Sequence, residues 1–400
     1  MSGSPLQPCR PTAFQRRPAR LARLLAQVLA LVLMGGLTVA SGPRAAQAAP
    51  APGAPLPAIA AWLESGTDGP REEPFVIRPF EPVLEGRWIG HAVAYGWYRR
   101  GQAPGGPSPR EAELLEDLRI LAGHWNLLRV YNADDDTRRV LELIRAHGLP
   151  LRVLLGVWLE GEDGRPASAR ANRANLLRGI ELTRAFPELV LAVSVGNETQ
   201  VDWSAHRLPP ELLIRYLRVL RAQVAVPVTT ADDYNFWNKP ASQVVAGELD
   251  FLTTHAHPLW NGQTPAGSLE WLDRTLATVR ALHPGRPLVL GETGWATEHN
   301  PERLGPGEQG TLMRGGASLA AQGEFLRGLH DWVERTRVPT FWFEAFDEPW
   351  KGGGEQADPR DVEKHWGVFH EDRTPKPSFR AYLQAEAGSG AGPGAEAQTD

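Results

Sequence analysis

Apolar runs of five to eight residues recur along the chain, separated by longer stretches in which apolar residues return every three or four positions. The runs are Trp88 to Tyr95, Leu127 to Tyr131, Leu151 to Trp158, Leu189 to Val195, Val226 to Thr230, Leu249 to His255, Pro287 to Gly291 and Thr340 to Phe346. Short continuous apolar runs bounded by turn residues read as strands buried on both faces. Between them, Pro109 to Leu121 places Leu114, Leu115, Leu118 and Leu121 on one helical face. Asp136 to His147 repeats the spacing with Val140, Leu143 and Ile144, and Gly148-Leu149-Pro150 stops it. Pro209-Pro210 opens a helix to about Gln223, a short helix is expected around Ser242 to Ala246, and Leu269 to Leu282 and Ser318 to Val333 complete the set. Eight strands alternating with helices over about 300 residues predict a parallel sheet closed as a (β/α)₈ TIM barrel, a single catalytic domain over 86–385. The rival, an open doubly wound sheet, lacks a glycine-rich dinucleotide fingerprint after the first strand.

The flanks differ in character. Residues 49–85 are rich in Pro, Ala and Gly and read as a lead-in, and 386–400, from Gly388-Ser389-Gly390, as a disordered tail. At the start, a basic stretch to Arg23 precedes an apolar run from Leu24 to Ala40 and small residues at Ala46-Gln47-Ala48. This predicts a signal peptide over 1–48 and an exported, periplasmic or secreted protein with no membrane association after cleavage. The alternative, an uncleaved anchor, is disfavoured by Gly35-Gly36 and Gln27 inside a short run. Cys9, the only cysteine, would leave with the signal, so the mature chain has no disulfide.

Charge narrows the partners. Removing the six basic residues before residue 49 takes the formal net charge from −5 to −11. An acidic body argues against nucleic acid and suits a neutral polymer. A monomer with no cofactor is expected. His255-Ala256-His257 is joined by no H-E-x-x-H motif or cysteine cluster and reads as cleft or structural histidines, Asp134 to Asp136 read as a helix N-terminus, and no G-x-S-x-G elbow is present, so no metal and no serine-hydrolase triad is expected.

Two apolar runs stop at a glutamate in a glycine-containing turn: Ser194-Val195-Gly196-Asn197-Glu198 and Val289-Leu290-Gly291-Glu292-Thr293-Gly294-Trp295. In a barrel of this type reactive groups stand at the C-terminal ends of strands. Paired carboxylates there are the equipment for cleaving a glycosidic bond. Alternation places Ser194, Gly196 and Glu198 on one face. Either glutamate alone reads more readily as a structural ion pair; together at two strand tips they do not. Asn197 is suited to bond a sugar hydroxyl, and Tyr95 and Tyr131, at the first two strand ends, read as contacts near the cleaved bond. Trp97, Trp158, Trp237, Trp260, Trp295 and Trp350 fall at or beyond strand ends, where several together favour a sugar cleft. The segment Thr297 to Gly316 is expected to wall one end of that groove.

These motifs resemble glycoside hydrolase family 17, the β-1,3-glucanase family, in its bacterial branch. Val195 to Glu198 resembles its acid/base motif and Gly291 to Trp295 its nucleophile motif. Trp342 to Lys351 resembles its eighth-strand segment. Arg129-Val130-Tyr131-Asn132 is similar to its second-strand motif, which more often ends in Asp. The resemblance implies a retaining double displacement on β-1,3-glucan, with Glu292 as nucleophile and Glu198 as acid then base, and Glu348 and Lys351 as a charged pair near substrate. Three alternatives stand beside hydrolysis: glucanosyl transfer at the same site, a noncatalytic glucan-binding protein, and a cellulase- or mannanase-like enzyme. Both glutamate motifs are intact, against the binder; the Trp342 to Lys351 segment argues against the last.

Overall fold

The computed structural model describes residues 50–66 and 71–389. The predicted signal, 1–48, and residues 390–400 of the predicted tail lie outside the described residues. Eight parallel strands close into a barrel in chain order: β1 (His91–Ala94), β2 (Leu127–Val130), β3 (Arg152–Val157), β4 (Val190–Asn197), β5 (Val228–Asp233), β6 (Leu252–His255), β7 (Leu288–Thr293) and β8 (Thr340–Trp342), which pairs back to β1. Around them run α1 (Glu111–Ala122), α2 (Asp135–Ala146), α3 (Pro166–Ala185), α4 (Pro210–Gln223), α5 (Gln243–Ala246), α6 (Pro265–Leu282), α7 (Leu319–Thr336) and α8 (Pro377–Ser389). The expected (β/α)₈ barrel is the observed fold.

Local chemistry sets the helix starts. The Asp134 carboxylate accepts from Thr137 N at 2.9 Å, with Asp135 and Asp136 in the first turn of α2, where carboxylates favour the positive end of the helix dipole. Pro210 opens α4, and Thr264 and Ser318 cap α6 and α7. The periodicity does not single out α3, because its buried face mixes Leu176 and Ile180 with Asn172, Gly179 and Thr183. Gly179 is there because the helix comes close to the barrel: a Cβ would stand 2.5 Å from Val157 Cγ2.

Strand ends depart from the sequence reading. The expected first strand breaks at Gly90, where a Cβ would meet the Trp88 ring at 2.0 Å. Arg87–Trp88 instead pairs antiparallel with Val83–Leu84, and β1 begins at His91. The strand expected to end at Thr230 runs on to Asp233, carrying two acids into the barrel. Residues 49–85, read as a lead-in, contain the helix Leu56–Glu64, which buries Ile59, Trp62 and Leu63. Arg78 latches this lead-in onto the end of α4, donating from Nη1 to Val224 O at 2.7 Å. Helix α8 continues to Ser389, so residues 386–389 of the predicted tail are helical.

The barrel interior is graded. Leu84, Ile89, Ala92, Leu127, Leu154, Ala192, Phe251, Val289 and Phe341 form an apolar plug at the N-terminal ends of the strands, with Phe80 stacked on Phe251 at 4.7 Å. Above it come hydroxyls, such as Thr229 Oγ1 and Thr253 Oγ1 at 3.1 Å, and then charged groups at the C-terminal ends. The apolar floor keeps water from reaching the charged layer from below and leaves only the mouth open.

Candidate active site

Two strand tips supply the carboxylates by different means. Glu292 sits inside β7, and Gly291 before it allows close approach: a Cβ there would meet Thr253 Cγ2 at 2.4 Å. Glu198 follows β4 through an irregular register between Ser194 and Asn197. Gly196 has φ +81° and Glu198 φ +49°, a left-handed conformation that side-chain-bearing residues seldom adopt. The bond from Glu198 N to Ala231 O at 2.8 Å holds it. The simple alternation expected for Ser194, Gly196 and Glu198 therefore does not hold. The irregularity turns Asn197 toward Arg129 and presents Glu198 at the mouth.

One imidazole joins the two acids. His255 Nδ1 lies 3.0 Å from Glu198 Oε1, and its Nε2 lies 3.4 Å from Glu292 Oε1. The two carboxylates are thus separated by no more than a ring and two polar contacts. Their surroundings differ. The Glu292 side chain is 8% exposed and that of Glu198 28%. Glu292 Oε1 accepts from Arg129 Nη1 at 2.6 Å and from the Tyr131 hydroxyl at 2.9 Å, while Oε2 meets His257 Nε2 at 3.4 Å. Burial alone would raise the Glu292 pKa, but His255, Arg129 and His257 override it and hold the carboxyl well below its usual range. Arg129 is itself buried and fixed by Gly291 O at 3.0 Å and Asn197 Oδ1 at 2.6 Å. Burial, then the Glu292 charge, raise the Tyr131 hydroxyl, so Tyr131 stays a donor.

A second charged group adjoins this centre. Lys351 Nζ donates to both Glu344 oxygens at 2.7 Å and lies 2.8 Å from Glu348 Oε2. Burial, with the Glu348 charge adding to it, raises the Glu344 carboxyl well above its ordinary value despite Lys351. On the other side, burial pushes the Asp232 carboxyl far up and Asp233 up to about 6, both helped by the Glu198 charge. An anionic, cation-bound glutamate facing a more open glutamate is an arrangement in which one carboxylate can attack while the other handles protons.

Residues 92–367 match the BtgE/BtgC glycoside hydrolase domain. The chain belongs to that family. It is a glycosidase. A glucan 1,3-beta-glucosidase of Arthroderma benhamiae is 28% identical over 295 residues, covering 68% of this chain and 86% of that one. An endo-laminarinase from Formosa superposes with a TM-score of 0.64 at 22% identity, over 80% of this chain and 93% of that one. A β-1,3-glucanosyltransferase of glycoside hydrolase family 17 from Rhizomucor miehei gives 0.57 at 24%, over 72% and 96%. At these identities the two structures show a shared fold. The sequence relatives are fungal and lend no support to a bacterial branch.

Against the sequence expectations, the BtgE/BtgC domain gathers Glu198, Glu292, Asn197 and Tyr131 into one cluster and places Glu348 and Lys351 in the neighbouring one. Tyr95 and Trp295 are corrections. Tyr95 is fully buried, its hydroxyl on Asp117 at 3.2 Å and its ring against Trp97 and Phe346. Trp295 is also buried, donating to Gly316 O at 3.1 Å and packing on Phe325. Of the tryptophans expected to form a cleft, Trp97 and Trp237 are likewise core residues, while Trp158, Trp260 and Trp350 are half-buried. The 297–316 segment packs on the loop beyond β8 through Arg303 and Gln309, both on Asp361 Oδ2.

The sequence assigns no chemistry to Asp232 or Asp233, leaves Arg129 as part of a motif, and reads His255 and His257 as cleft or structural histidines. For His255 and His257 the signal was their i, i+2 spacing at a strand end. For Arg129 it was a charge inside an otherwise apolar strand, which needs a buried partner. Among the described residues, His91, His330 and Glu334 bring potential metal-ligand atoms within 4.8 Å of one another. They lie toward the opposite end of the barrel and are engaged with one another and with Tyr382: His91 Nε2 meets Glu334 Oε1 at 2.7 Å, and the Tyr382 hydroxyl meets His330 Nδ1 at 2.7 Å.

Proposed function

We propose that this glycosidase is a member of glycoside hydrolase family 17 that cleaves β-1,3-glucan with retention, through Glu292 as nucleophile and Glu198 as acid and base. The observation that carries the reading is the pair itself, one carboxylate clamped anionic by Arg129 and the other open to solvent, both touching His255. Glu292 Oε2, the oxygen with the weaker contact, attacks the anomeric carbon, and a covalent glycosyl-enzyme forms as the bond to the leaving oxygen breaks. Glu198 gives that oxygen its proton. His255 Nδ1 shares a hydrogen bond with Glu198 Oε1 and holds it oriented through the step. Glu198, now a carboxylate, takes a proton from water or from an acceptor sugar, whose oxygen attacks the same carbon and frees Glu292. The acceptor alone decides between hydrolysis and glucanosyl transfer.

The substrate class follows from the resemblance of the motifs and from the names of the relatives. A Rhizomucor miehei β-1,3-glucanosyltransferase mutant, 25% identical over 72% of this chain, has been solved with laminaritriose. The N-terminal pattern supports an exported protein, periplasmic or secreted. The test is a time-resolved product profile on laminari-oligosaccharides, wild type beside Glu292→Gln. Shorter products alone indicate hydrolysis, and products longer than the donor indicate transfer. Turnover by Glu292→Gln at the wild-type rate, or no cleavage of any β-1,3-linked substrate by wild type, contradicts the reading.

A further inference from the structure

We propose that Trp203 and the cavity beside it form a distal acceptor-side subsite that stacks on a glucosyl ring of a β-1,3-glucan chain. The inference deepens the proposed function and rests on it. Trp203 is 61% exposed, whereas the other thirteen tryptophans are buried or half-buried. It stands at the rim of a cavity of about 500 Å³ whose floor includes Val201, Leu208 and Phe236 and whose rim carries Asn235, Lys239 and Arg207. A flat aromatic ring over an apolar floor, edged by amide and charged groups, matches a pyranose, which offers an apolar face and a polar circumference.

The loop that carries Trp203 is held rather than loose. At its base Leu208 N donates to Thr199 O at 3.0 Å, and Gln200 Nε2 to Leu208 O at 3.1 Å. Gln200 N donates to Asp232 Oδ2 at 2.8 Å, and His206 Nε2 meets Asn197 O at 2.8 Å. Val201 is buried, so the turn of the loop is anchored on both sides of the exposed indole. Position assigns the role. The loop leaves directly from Glu198, the residue that faces the leaving oxygen, and five residues of chain reach at most about 17 Å. The cavity lies between the ends of β4 and β5, where Asn235 and Lys239 complete its lining, and the proposal requires sugar units beyond the cleaved bond to extend on that side.

The experiment compares wild type, Trp203→Ala and Trp203→Phe on two donors: a long laminari-oligosaccharide, and an aryl β-laminaribioside whose leaving group is too short to reach residue 203. Trp203→Ala should lower kcat/KM on the long donor about five- to tenfold relative to the short one, with a matching drop in the transfer-to-hydrolysis ratio, and Trp203→Phe should recover most of both. Equal losses on both donors, or none on either, would overturn the subsite while leaving the two-glutamate reading intact. A wild-type protein that cleaves neither donor would overturn that reading and this inference together.

Discussion

Replacing Arg129 with methionine removes a cation that holds three parts of the site. Its guanidinium donates to Glu292 Oε1 at 2.6 Å, Gly291 O at 3.0 Å and Asn197 Oδ1 at 2.6 Å, and its side chain is 2% exposed. Breaking one partner of a buried ion pair costs about 3–5 kcal/mol when the remaining charge is kept. The protein can avoid part of that cost by protonating Glu292. An adjacent arginine lowers a carboxyl pKa by about 1–3 units, each worth 1.36 kcal/mol, so its loss represents about 1.4–4 kcal/mol. The two estimates overlap, and both say that Glu292 becomes a poorer anion. In wild type its depressed pKa contributes stability that is present above the unfolded value and is lost as pH falls through the folded one. In Arg129→Met that contribution shrinks. The acid limb of kcat/KM, which reports ionisation of the free enzyme, should move up by about 1–3 pH units. The melting temperature at neutral pH should fall by about 5–10 °C. Arg129→Lys should fall between the two, keeping charge but losing the fork. An acid limb that stays in place while the melting temperature drops would refute the electrostatic argument and leave Arg129 a structural residue.

Two other groups give separate tests. Burial raises the Asp233 pKa from 3.8 to about 6, so the folded state holds a proton that the unfolded state has lost. Stability should therefore decline by about 3 kcal/mol as pH rises from about 4 to 6. Asp233→Asn should flatten that part of a denaturant-measured stability profile, and an unchanged slope would contradict the assignment. Lys351→Met leaves Glu344 and Glu348, both nearly inaccessible, without their shared cation. It should cost about 3–5 kcal/mol in chemical denaturation, with partial recovery in Lys351→Met/Glu348→Gln. A single variant as stable as wild type would contradict the pairing.

The barrel was legible because eight apolar runs and their intervening helical faces are local signals. Both glutamates were legible because each ends such a run. What decides which way a side chain points at a strand tip is not local. Tyr95 and Trp295 sit where a sugar contact would be expected, yet both turn into packing with residues far along the chain, Asp117 and Phe325. Arg129 and His255 show the reverse. Each carries a sequence signal, but its partners appear only when barrel closure brings β2, β4, β6 and β7 onto one centre. Helix α3 is not marked by periodicity because Asn172, Gly179 and Thr183 interrupt the apolar residues Leu176 and Ile180 on its buried face. The helix Leu56–Glu64 is hidden in the lead-in by its Pro- and Ala-rich composition, and it packs on α3 rather than on a neighbour in sequence.

The claim on which the rest depends is that residues 198 and 292 act as a retaining pair, which requires their carboxyl groups to stand about 5–5.5 Å apart rather than the wider spacing that admits a water for inversion. Proton NMR of the earliest products from a β-1,3-linked oligosaccharide reads this directly through the configuration of the new reducing end. The account predicts that the β-anomer appears first and the α-anomer later, by mutarotation. An α-anomer formed first would contradict it.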